Sequence, residues 1–325
     1  MRSPIRVEAM KSQTKMCWCG GARLASFNAE YVRCEACHTL ICTCSPEPGD
    51  PRIRDDESSL YGKDYWYRQN DAPDRAGDIF QRSRTDLPER NLFWLNQLLK
   101  VKLPPGNALE IGCGHGGFTY LMQQAGFEAT GIELSPTIVG FGQRTFDLPV
   151  FSGPVEEQPL LKQSFDVIAL MDVLEHLPQP LRTMKYCVSL LKPDGVLFLQ
   201  TPRYPGPRSF AELAATQDKF LAHLNPLEHT HLFSKEGARR LMQAAGAGYV
   251  EHWPALFGQK DQFFAASPSP IRPMATGLRD EWLGKTPSRR MVRALLDSED
   301  RYRAMVKHYI ELRRGLNDET LYAAA

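Results

Sequence analysis

The segment that most constrains the fold is a short apolar run that leads straight into closely spaced glycines. Residues 108–111 are apolar except for one carboxylate, and Gly112, Gly114 and Gly116 follow at every second position before a helical pattern starts at Phe118. Glycines let the backbone turn sharply and bring a ligand against the main chain, beside the partly positive N-terminus of a helix. The segment therefore predicts a strand, a ligand-binding turn and a helix.

The same alternation of apolar runs and helical patterns continues from residue 108 to residue 201. Strands that are apolar on both faces and separated by helices indicate a mostly parallel sheet in an α/β fold. The predicted strands are Ala108–Ile111, Ala129–Glu133, Val150–Ser152, Val167–Met171, Val196–Gln200, Tyr249–His252 and Gln262–Ala266. The predicted helices are Asp86–Lys100 with Asp86 as its N-cap, Phe118–Ala125, Pro136–Phe146, Pro180–Leu191, Ser209–His223 and Lys235–Ala245, with further charged helices towards the C-terminus.

Six of the eight cysteines lie between positions 17 and 44. Two cysteine pairs separated by a hairpin-length segment resemble a zinc ribbon, and such spacing favours metal ligands over disulfides. The first pair is one residue shorter than a usual knuckle, so Cys42 or Cys44 is an alternative ligand. A second alternative is a segment that has lost its metal and only packs. The predicted ligands of a structural zinc are Cys17, Cys19, Cys34 and Cys37.

Charge and hydropathy exclude several classes of protein. Lys and Arg number 39 against 38 Asp and Glu, so the chain lacks the basic excess typical of nucleic-acid-coating proteins. No apolar run approaches the ~20 residues that cross a bilayer. The polar start of the chain lacks the apolar stretch of a secretion signal. These features, with the reduced state expected of the cysteines, favour a cytoplasmic location.

A series of ordered motifs resembles the class I S-adenosylmethionine-dependent methyltransferases. An acidic residue inside the strand precedes the glycines, and a second one, Glu133, ends the next strand seventeen residues after Gly116. The segments that carry the resemblance are Glu110–Gly116, Gly131–Glu133, Ser164–Ile168, Asp172–Leu177 and Leu191–Gly195, with Glu228–Ser234 similar to a later segment of the branch containing ubiquinone-type and small-molecule methyltransferases.

This resemblance implies a Rossmann-like, seven-stranded sheet whose last strand is antiparallel, with S-adenosylmethionine lying across the carboxyl ends of the strands. The glycines would line its methionine moiety and Glu133 would hold its ribose. By position, the implied cofactor-binding residues are Glu110, Gly112, Gly114, Gly116, Glu133, Val155, Glu156 and Met171.

Histidines and aromatic residues supply the candidates for chemistry. His176 lies past the end of the fourth strand, where a general base would meet the acceptor, although a capping or packing role is the alternative. His229 and His231 alternate, so in an extended segment they share a face, on the substrate side or in a hydrogen-bonded turn. The aromatic segment containing Tyr65 either closes over the cofactor or packs the linker onto the core.

A cysteine-rich module before this core also resembles methyltransferases of polysaccharide and lipopolysaccharide biosynthesis. The resemblance implies O-methylation, or alternatively C-methylation, of a saccharide or related small acceptor. A ribbon-guided RNA methyltransferase and a cofactor-binding protein without catalysis are the other hypotheses, and a homo-oligomer through the C-terminal helices is possible. The predicted organisation is a flexible tail (1–16), a zinc-ribbon-like module (17–44), a linker with the aromatic segment (45–85), a methyltransferase domain (86–266), and a linker with C-terminal helices (267–325).

Overall fold

The computed structural model describes residues 16–44, 55–57, 59–67, 77–258, 260–275 and 277–322, with the side chains of the last helix as far as Leu312. The predicted flexible tail, apart from Met16, lies outside the described residues. Residues 45–54 and 68–76 of the predicted linker also lie outside them, as do the side chains of the arginines at positions 313 and 314.

Two sheets organise the described chain. The large sheet has seven strands and the small sheet has four. The strands in chain order are β1 (Leu24–Ser26), β2 (Tyr31–Cys34), β3 (Leu40–Cys42), β4 (Asn107–Ile111), β5 (Glu128–Glu133), β6 (Val150–Ser152), β7 (Phe165–Met171), β8 (Leu191–Pro202), β9 (His231–Leu232), β10 (Tyr249–Trp253) and β11 (Asp261–Ser267).

The large sheet has the strand order β10-β11-β8-β7-β4-β5-β6. The five neighbouring strands β8, β7, β4, β5 and β6 are parallel to one another, whereas the last strand, β11, is antiparallel to both β8 and β10. The predicted seven-stranded, mostly parallel sheet with an antiparallel last strand is therefore confirmed. The reversal of strand order between β4 and β7 leaves a crevice at their carboxyl ends, which is where ligands bind in open α/β sheets.

Helices cover both faces of this sheet. The α-helices are α1 (Lys63–Tyr67), α2 (Ile79–Asp86), α3 (Leu92–Leu98), α4 (Gly117–Ala125), α5 (Pro136–Phe146), α6 (Pro180–Leu190), α7 (Phe210–Ala215), α8 (Lys235–Ala245), α9 (Leu278–Leu283) and α10 (Pro287–Tyr322). Successive side chains of a strand point to opposite faces. In β7, Val167 and Ala169 therefore join the core formed with α3, α4 and α10, while Ile168 and Leu170 join the core formed with α6 and α8.

The predicted helix start at Asp86 is wrong. The helix begins at Ile79, where the Asp78 side chain accepts a hydrogen bond from the Gln81 N–H at 2.8 Å. It continues through a π-helical turn at residues 87–91 into α3. Asp86 lies buried inside this helix because Arg82, Arg90 and His115 compensate its carboxylate. Two arginines one helical turn away, with His115 from a distant segment, thus outweigh the capping pattern.

The predicted helix Ser209–His223 is divided in two. A capping box of Ser209 and Glu212 starts α7, as the sequence suggests. The helix then stops, Gln217 adopts a left-handed conformation, and the Asp218 side chain caps a separate 3₁₀ turn at Lys219–His223. The other predicted strands and helices agree with the structure, with small differences at their ends.

The cysteine-rich segment forms the small sheet with the order β1-β2-β3-β9. Three of its strands come from the first 42 residues, and the fourth comes from the larger domain. Leu40 pairs with Leu232 across the β3–β9 boundary. The small sheet is therefore completed by a strand of the larger domain.

The long helix α10 packs against the domain through one narrow row of apolar side chains. Val292 and Leu296 are buried, whereas Met291, Tyr302 and Met305 are each more than half exposed. Among the described residues, none of the helices combines the length and apolarity required to cross a membrane.

Candidate active site

The glycine loop after β4 turns back over the strand ends. The N–H groups of Gly112 and Cys113 donate to the carbonyl of Ile132, at 2.8 and 3.0 Å, which fixes the loop to β5. Gly114 has φ +52°, and a Cβ there would lie 2.6 Å from the indole ring of Trp66. A side chain would therefore be strained by the left-handed backbone and would displace the indole. The loop opens α4, and Gly117 and Phe118 at the start of this helix line the cleft.

Glu133, at the end of β5, is held by main-chain donors. Its carboxylate accepts hydrogen bonds from the N–H groups of Gly114 (3.0 Å), Leu134 (2.7 Å) and Ser135 (3.3 Å). Burial raises its pKa, and the three N–H donors counteract part of that rise. The structure thus places Glu133 beside the glycine loop, on the wall of the cleft.

A buried histidine shapes the glycine loop. The Nδ1 of His115 accepts the N–H of Gly117 at 3.1 Å, so Nε2 carries the proton and donates to Asp86 at 3.1 Å. Burial lowers the pKa of His115, which keeps the ring neutral. Sequence reasoning missed this pair because Asp86 and His115 belong to distant segments, and a helix-capping pattern accounted for Asp86.

Two adjoining cavities form the cleft. The larger has a volume of about 970 Å³ and the smaller about 280 Å³, and both are bordered by Gly112, Glu133 and Val173. Glu110 and Met171, two of the predicted cofactor-binding residues, line the larger cavity. Val155 and Glu156, two others, line the smaller one.

Glu110 and Glu156, both predicted near the cofactor, already have hydroxyl partners. Glu110 accepts a short hydrogen bond from Thr119, and burial raises its pKa to about 8. Glu156 accepts a hydrogen bond from Thr183. Gly116, also predicted, has φ +89° and caps the start of α4.

The aromatic segment covers the cleft from outside the sheet. Tyr61, Tyr65 and Trp66 all line the larger cavity. The segment is anchored by Asp56, whose carboxylate accepts hydrogen bonds from Ser135 and from the N–H of Thr137 at the start of α5. The buried Trp66 Nε1 has no hydrogen-bond partner among the described residues. The segment therefore borders the cleft and also packs onto the core, where Trp66 contacts Ile138 and Phe141.

His176 and His229 meet at the far end of the larger cavity. The Nδ1 of His176 lies 2.8 Å from the carbonyl of Glu228, and the Nδ1 of His229 lies 2.7 Å from the carbonyl of His223. A carbonyl can only accept, so each Nδ1 carries the proton and each Nε2 has a free lone pair. The hydroxyl of Tyr61 also lies 2.7 Å from the Nδ1 of His176.

Glu175 completes a three-residue cluster with these histidines. One ligand atom each from Glu175, His176 and His229 lies within 4.8 Å of the others. The carboxylate accepts a hydrogen bond from Thr201 at 2.9 Å. Burial, with the nearby Asp172 charge, raises the pKa of Glu175 to about 8. Burial lowers the pKa values of both histidines, so they are neutral at pH 7.

Further polar groups extend the cluster towards the mouth of the cavity. Burial raises the pKa of Asp261 to about 8 and lowers the pKa of His223 to about 4, and their side chains lie 3.7 Å apart. Lys219, Asn225 and Lys260 line the same cavity. Sequence reasoning missed Glu175 and Asp261. The motif that contains His176 was the available signal for Glu175, whereas no local pattern marks Asp261.

His231 lies apart from this cluster. It is buried in β9, its ring stacks on Phe233, and its Nδ1 lies 3.1 Å from the carbonyl of Leu177. His229 lines the cavity, but His231 is not among the described residues that do so. The expectation that the two share one face is therefore wrong, because the backbone is extended only from His231 onward.

The four predicted metal ligands come together in the cysteine-rich module. The Sγ atoms of Cys17, Cys19, Cys34 and Cys37 all lie within 4.8 Å of one another, with two pairs at 3.4 and 3.7 Å. Tetrahedral zinc with ~2.3 Å bonds to sulfur needs sulfur–sulfur distances of roughly 3.8 Å. The donor chemistry and spacing therefore fit zinc.

The two alternative cysteines lie elsewhere. The Sγ of Cys42 lies 3.5 Å from the carbonyl of Pro226, and Cys44 is exposed beside the hydroxyl of Thr43. Hydrogen bonding from Cys17 lowers the pKa of Cys37 to about 5, so this thiol readily supplies a thiolate.

A glycine loop after the first strand of the large sheet, a carboxylate at the end of the second and a cleft along the strand ends are typical of Rossmann-like nucleotide-binding domains, among them methyltransferases. A family model described as a methyltransferase domain matches residues 83–252. The chain therefore belongs to this family of methyltransferase domains.

Curated relatives match part of the chain. It is 34% identical over 156 residues to the ubiquinone biosynthesis O-methyltransferase of Xanthomonas campestris pv. campestris (strain B100), which covers 43% of this chain and 63% of that protein. The protein of the same name from Xanthomonas oryzae pv. oryzae (strain PXO99A) is 31% identical over 153 residues, with the same coverage. The chain thus spans less than two thirds of the length of these relatives.

Two solved structures of low sequence identity are similar to part of the chain. A methyltransferase described as a possible histamine N-methyltransferase from Thermotoga maritima has 20% identity and a TM-score of 0.43, covering 59% of this chain and 96% of that one. The magnesium protoporphyrin IX methyltransferase of Synechocystis PCC 6803 has 16% identity and a TM-score of 0.43, covering 60% of this chain and 90% of that one.

Proposed function

We propose that this protein transfers the methyl group of S-adenosylmethionine to a hydroxyl oxygen of a small molecule. The observation that carries the proposal is the pair of neutral histidines whose Nδ1–H groups are held by carbonyls, so that both Nε2 atoms are free beside Glu175. Membership of the methyltransferase family and the relatives named O-methyltransferases support the same reaction.

The cofactor would lie across both cavities. Glu133 borders both of them, and its carboxylate would accept hydrogen bonds from the ribose hydroxyls. The glycines 112, 114 and 116 and Met171 would surround the methionine moiety. Val155 and Glu156 border the smaller cavity, where the adenine would lie. Trp66 would cover the cofactor and exclude water.

The chemistry requires one proton to leave the acceptor. Methyl transfer from a sulfonium is an in-line displacement: the acceptor oxygen bonds to the methyl carbon, the carbon–sulfur bond breaks, and the sulfur becomes neutral. The Nε2 of His176 takes up the proton of the hydroxyl, since its lowered pKa leaves the ring unprotonated at neutral pH. Tyr61 and the Glu228 carbonyl hold the ring in the tautomer that this step needs.

A divalent cation is the second candidate occupant of the same cluster. One carboxylate and two imidazole nitrogens, each imidazole anchored through its other nitrogen, form a donor set that suits such an ion. A bound cation would lower the pKa of an acceptor hydroxyl. Metal content distinguishes the two modes. A cation in the cluster adds one bound ion per chain, which Glu175→Gln removes while the four cysteines keep their zinc. His176 acting alone as base requires no such ion.

The acceptor that we propose is a saccharide or a related polyhydroxylated metabolite. Lysine and asparagine side chains at the mouth of the cavity, with the two carboxylates Asp172 and Asp261, offer both donors and acceptors to such a molecule. The sequence resemblance to methyltransferases of polysaccharide biosynthesis is the origin of this choice.

Methyl-labelled S-adenosylmethionine tests the proposal. We expect the purified protein to label a small, nuclease-resistant, carbohydrate-containing fraction of an extract. The His176→Gln variant should lose at least 100-fold in turnover. The His252→Gln variant is the matched control, because His252 is also partly buried and has a lowered pKa but lies on β10 and is not among the cavity-lining residues.

The other outcomes select the alternative functions. Label in a nuclease-sensitive fraction would favour the RNA methyltransferase. Tight cofactor binding without label in any fraction would favour a non-catalytic cofactor-binding protein. Equal activity of the His176 and His252 variants would contradict the role of His176.

A further inference from the structure

We infer that the cysteine-rich module is a positioning element of the acceptor site, and that Tyr31 transmits its effect to His229. This inference rests on the proposed function, because it concerns one of the two histidines of the cluster. The matched family region begins at residue 83, so the module lies outside it. Its contacts with the segment Glu228–Leu232 nevertheless place it directly behind the site.

One edge of the segment Glu228–Leu232 belongs to the module. Strand β9 is the fourth strand of the small sheet, with Ile41 opposite His231. The N–H of Cys42 donates to the carbonyl of Thr230 at 2.9 Å. The backbone around residue 230 is therefore held in register by β3.

The opposite edge of the same segment is bonded to the turn that carries Glu175 and His176. The N–H of Thr230 donates to the carbonyl of Glu175 at 2.9 Å. Its hydroxyl lies 3.0 Å from the carbonyls of Glu175 and Leu177. The segment thus lies between the module and the turn, and a displacement of β3 would change the distance between His229 and its two partners.

Tyr31 makes the contact closest to the cluster. This side chain in β2 is completely buried, and its hydroxyl donates to the carbonyl of His229 at 3.0 Å. That carbonyl belongs to the peptide group on the C-terminal side of the histidine, so this hydrogen bond restrains the backbone that carries the imidazole. The imidazole itself is held on the other side by the carbonyl of His223. Loss of the Tyr31 hydroxyl would remove the hydrogen bond to the backbone of His229 and leave only the one to its imidazole.

The larger domain supplies a matched control residue for Tyr31. Tyr204 is almost completely buried in the same hydrophobic cluster as Tyr31, and its hydroxyl donates to the carbonyl of Arg208. Arg208 is remote from the histidine pair in the chain and is bonded to Asp218 and Thr216. Removing either phenolic hydroxyl leaves one partly buried carbonyl without that donor, so the two variants should lose similar stability. Only the Tyr31 variant should alter His229.

The test compares Tyr31→Phe with Tyr204→Phe in the full chain labelled with ¹⁵N-histidine. We expect Tyr31→Phe to shift the imidazole resonances and the titration midpoint of His229, assigned with a His229→Gln variant, and Tyr204→Phe to leave both unchanged. With an acceptor in hand, Tyr31→Phe should lower kcat/KM for the acceptor by about tenfold. The Kd for S-adenosylmethionine should stay within twofold in both variants.

Identical histidine spectra in the two variants, or equal losses of kcat/KM, would overturn the inference. The spectra need no acceptor, so they decide the role of Tyr31 even if no methyl transfer is found. Absence of turnover in the unsubstituted protein would instead contradict the proposed function. The two failures are therefore distinguishable.

Discussion

Replacement of Glu133 by Gln should weaken cofactor binding while leaving the fold intact. The carboxylate accepts the N–H groups of Gly114, Leu134 and Ser135, and its free lone pairs face the cleft. A Gln side chain retains one oxygen for Leu134 and Ser135 but turns an NH₂ group towards the N–H of Gly114. Loss of hydrogen bonds to a charged acceptor costs about 1.5–3 kcal/mol. This corresponds to roughly 10- to 150-fold weaker binding.

Isothermal titration with S-adenosylmethionine and with S-adenosylhomocysteine measures this loss. Both ligands share the ribose, so both should weaken by a similar factor. Burial raises the pKa of Glu133, which indicates that its charge is costly to bury, so the unfolding temperature should change little. Glu128→Gln at the exposed start of the same strand is the control and should bind normally. A folded Glu133→Gln protein that binds both ligands within twofold of the unsubstituted chain would refute the reasoning.

Three further predictions concern the loop, the histidines and the metal. Gly114→Ala should lower the free energy of unfolding by about 1–2 kcal/mol because of the left-handed backbone, and by more because the new Cβ displaces Trp66. The control Gly248→Ala should lower it far less, since a Cβ there meets no atom within 4 Å. Equal unfolding curves of the two variants would contradict this prediction. Burial lowers the pKa of His223 to about 4, so on acidification the unfolded chain binds a proton before the folded chain does, and the free energy of unfolding falls between about pH 6.5 and pH 4. Denaturant titrations at pH 7 and pH 4 should show that His223→Asn removes about 3 kcal/mol of this acid-induced loss of stability. An equal loss in the variant and the unsubstituted protein would argue against this role of His223. Cys37→Ser should lower the zinc content, measured by atomic emission, from one ion per chain to none, and it should lower the unfolding temperature. Purification of the unsubstituted protein without metal would contradict this expectation.

Local sequence patterns were sufficient for the sheet and for the cofactor side of the site. Buried parallel strands are continuous apolar runs, and the glycine loop needs positive φ angles that glycine adopts readily. The order of these patterns placed Gly112, Glu133 and Val155 around one cleft before any contact was known. The four predicted cysteines also come together, because two short pairs joined by a hairpin bring their thiols to one point.

The acceptor side of the site could not be predicted in the same way. Its members lie on the turn after β7, on the segment before β9, and at the start of β11, and they meet only when the sheet is assembled. Asp261 has no local motif, and His231 was grouped with His229 because an extended backbone was assumed for both. Asp86 shows the same limit, since its partner His115 lies in another element.

The sequence by itself determined the α/β class, the glycine loop and the four-cysteine cluster, because these depend on spacing within short segments and on the conformational range of individual residues. Only the tertiary structure decided which histidine faces the cleft, which nitrogen of each ring is free, and that the small sheet takes its last strand from the larger domain. Those properties follow from contacts between segments distant in sequence. Their geometry is set by packing of the whole domain rather than by any local preference.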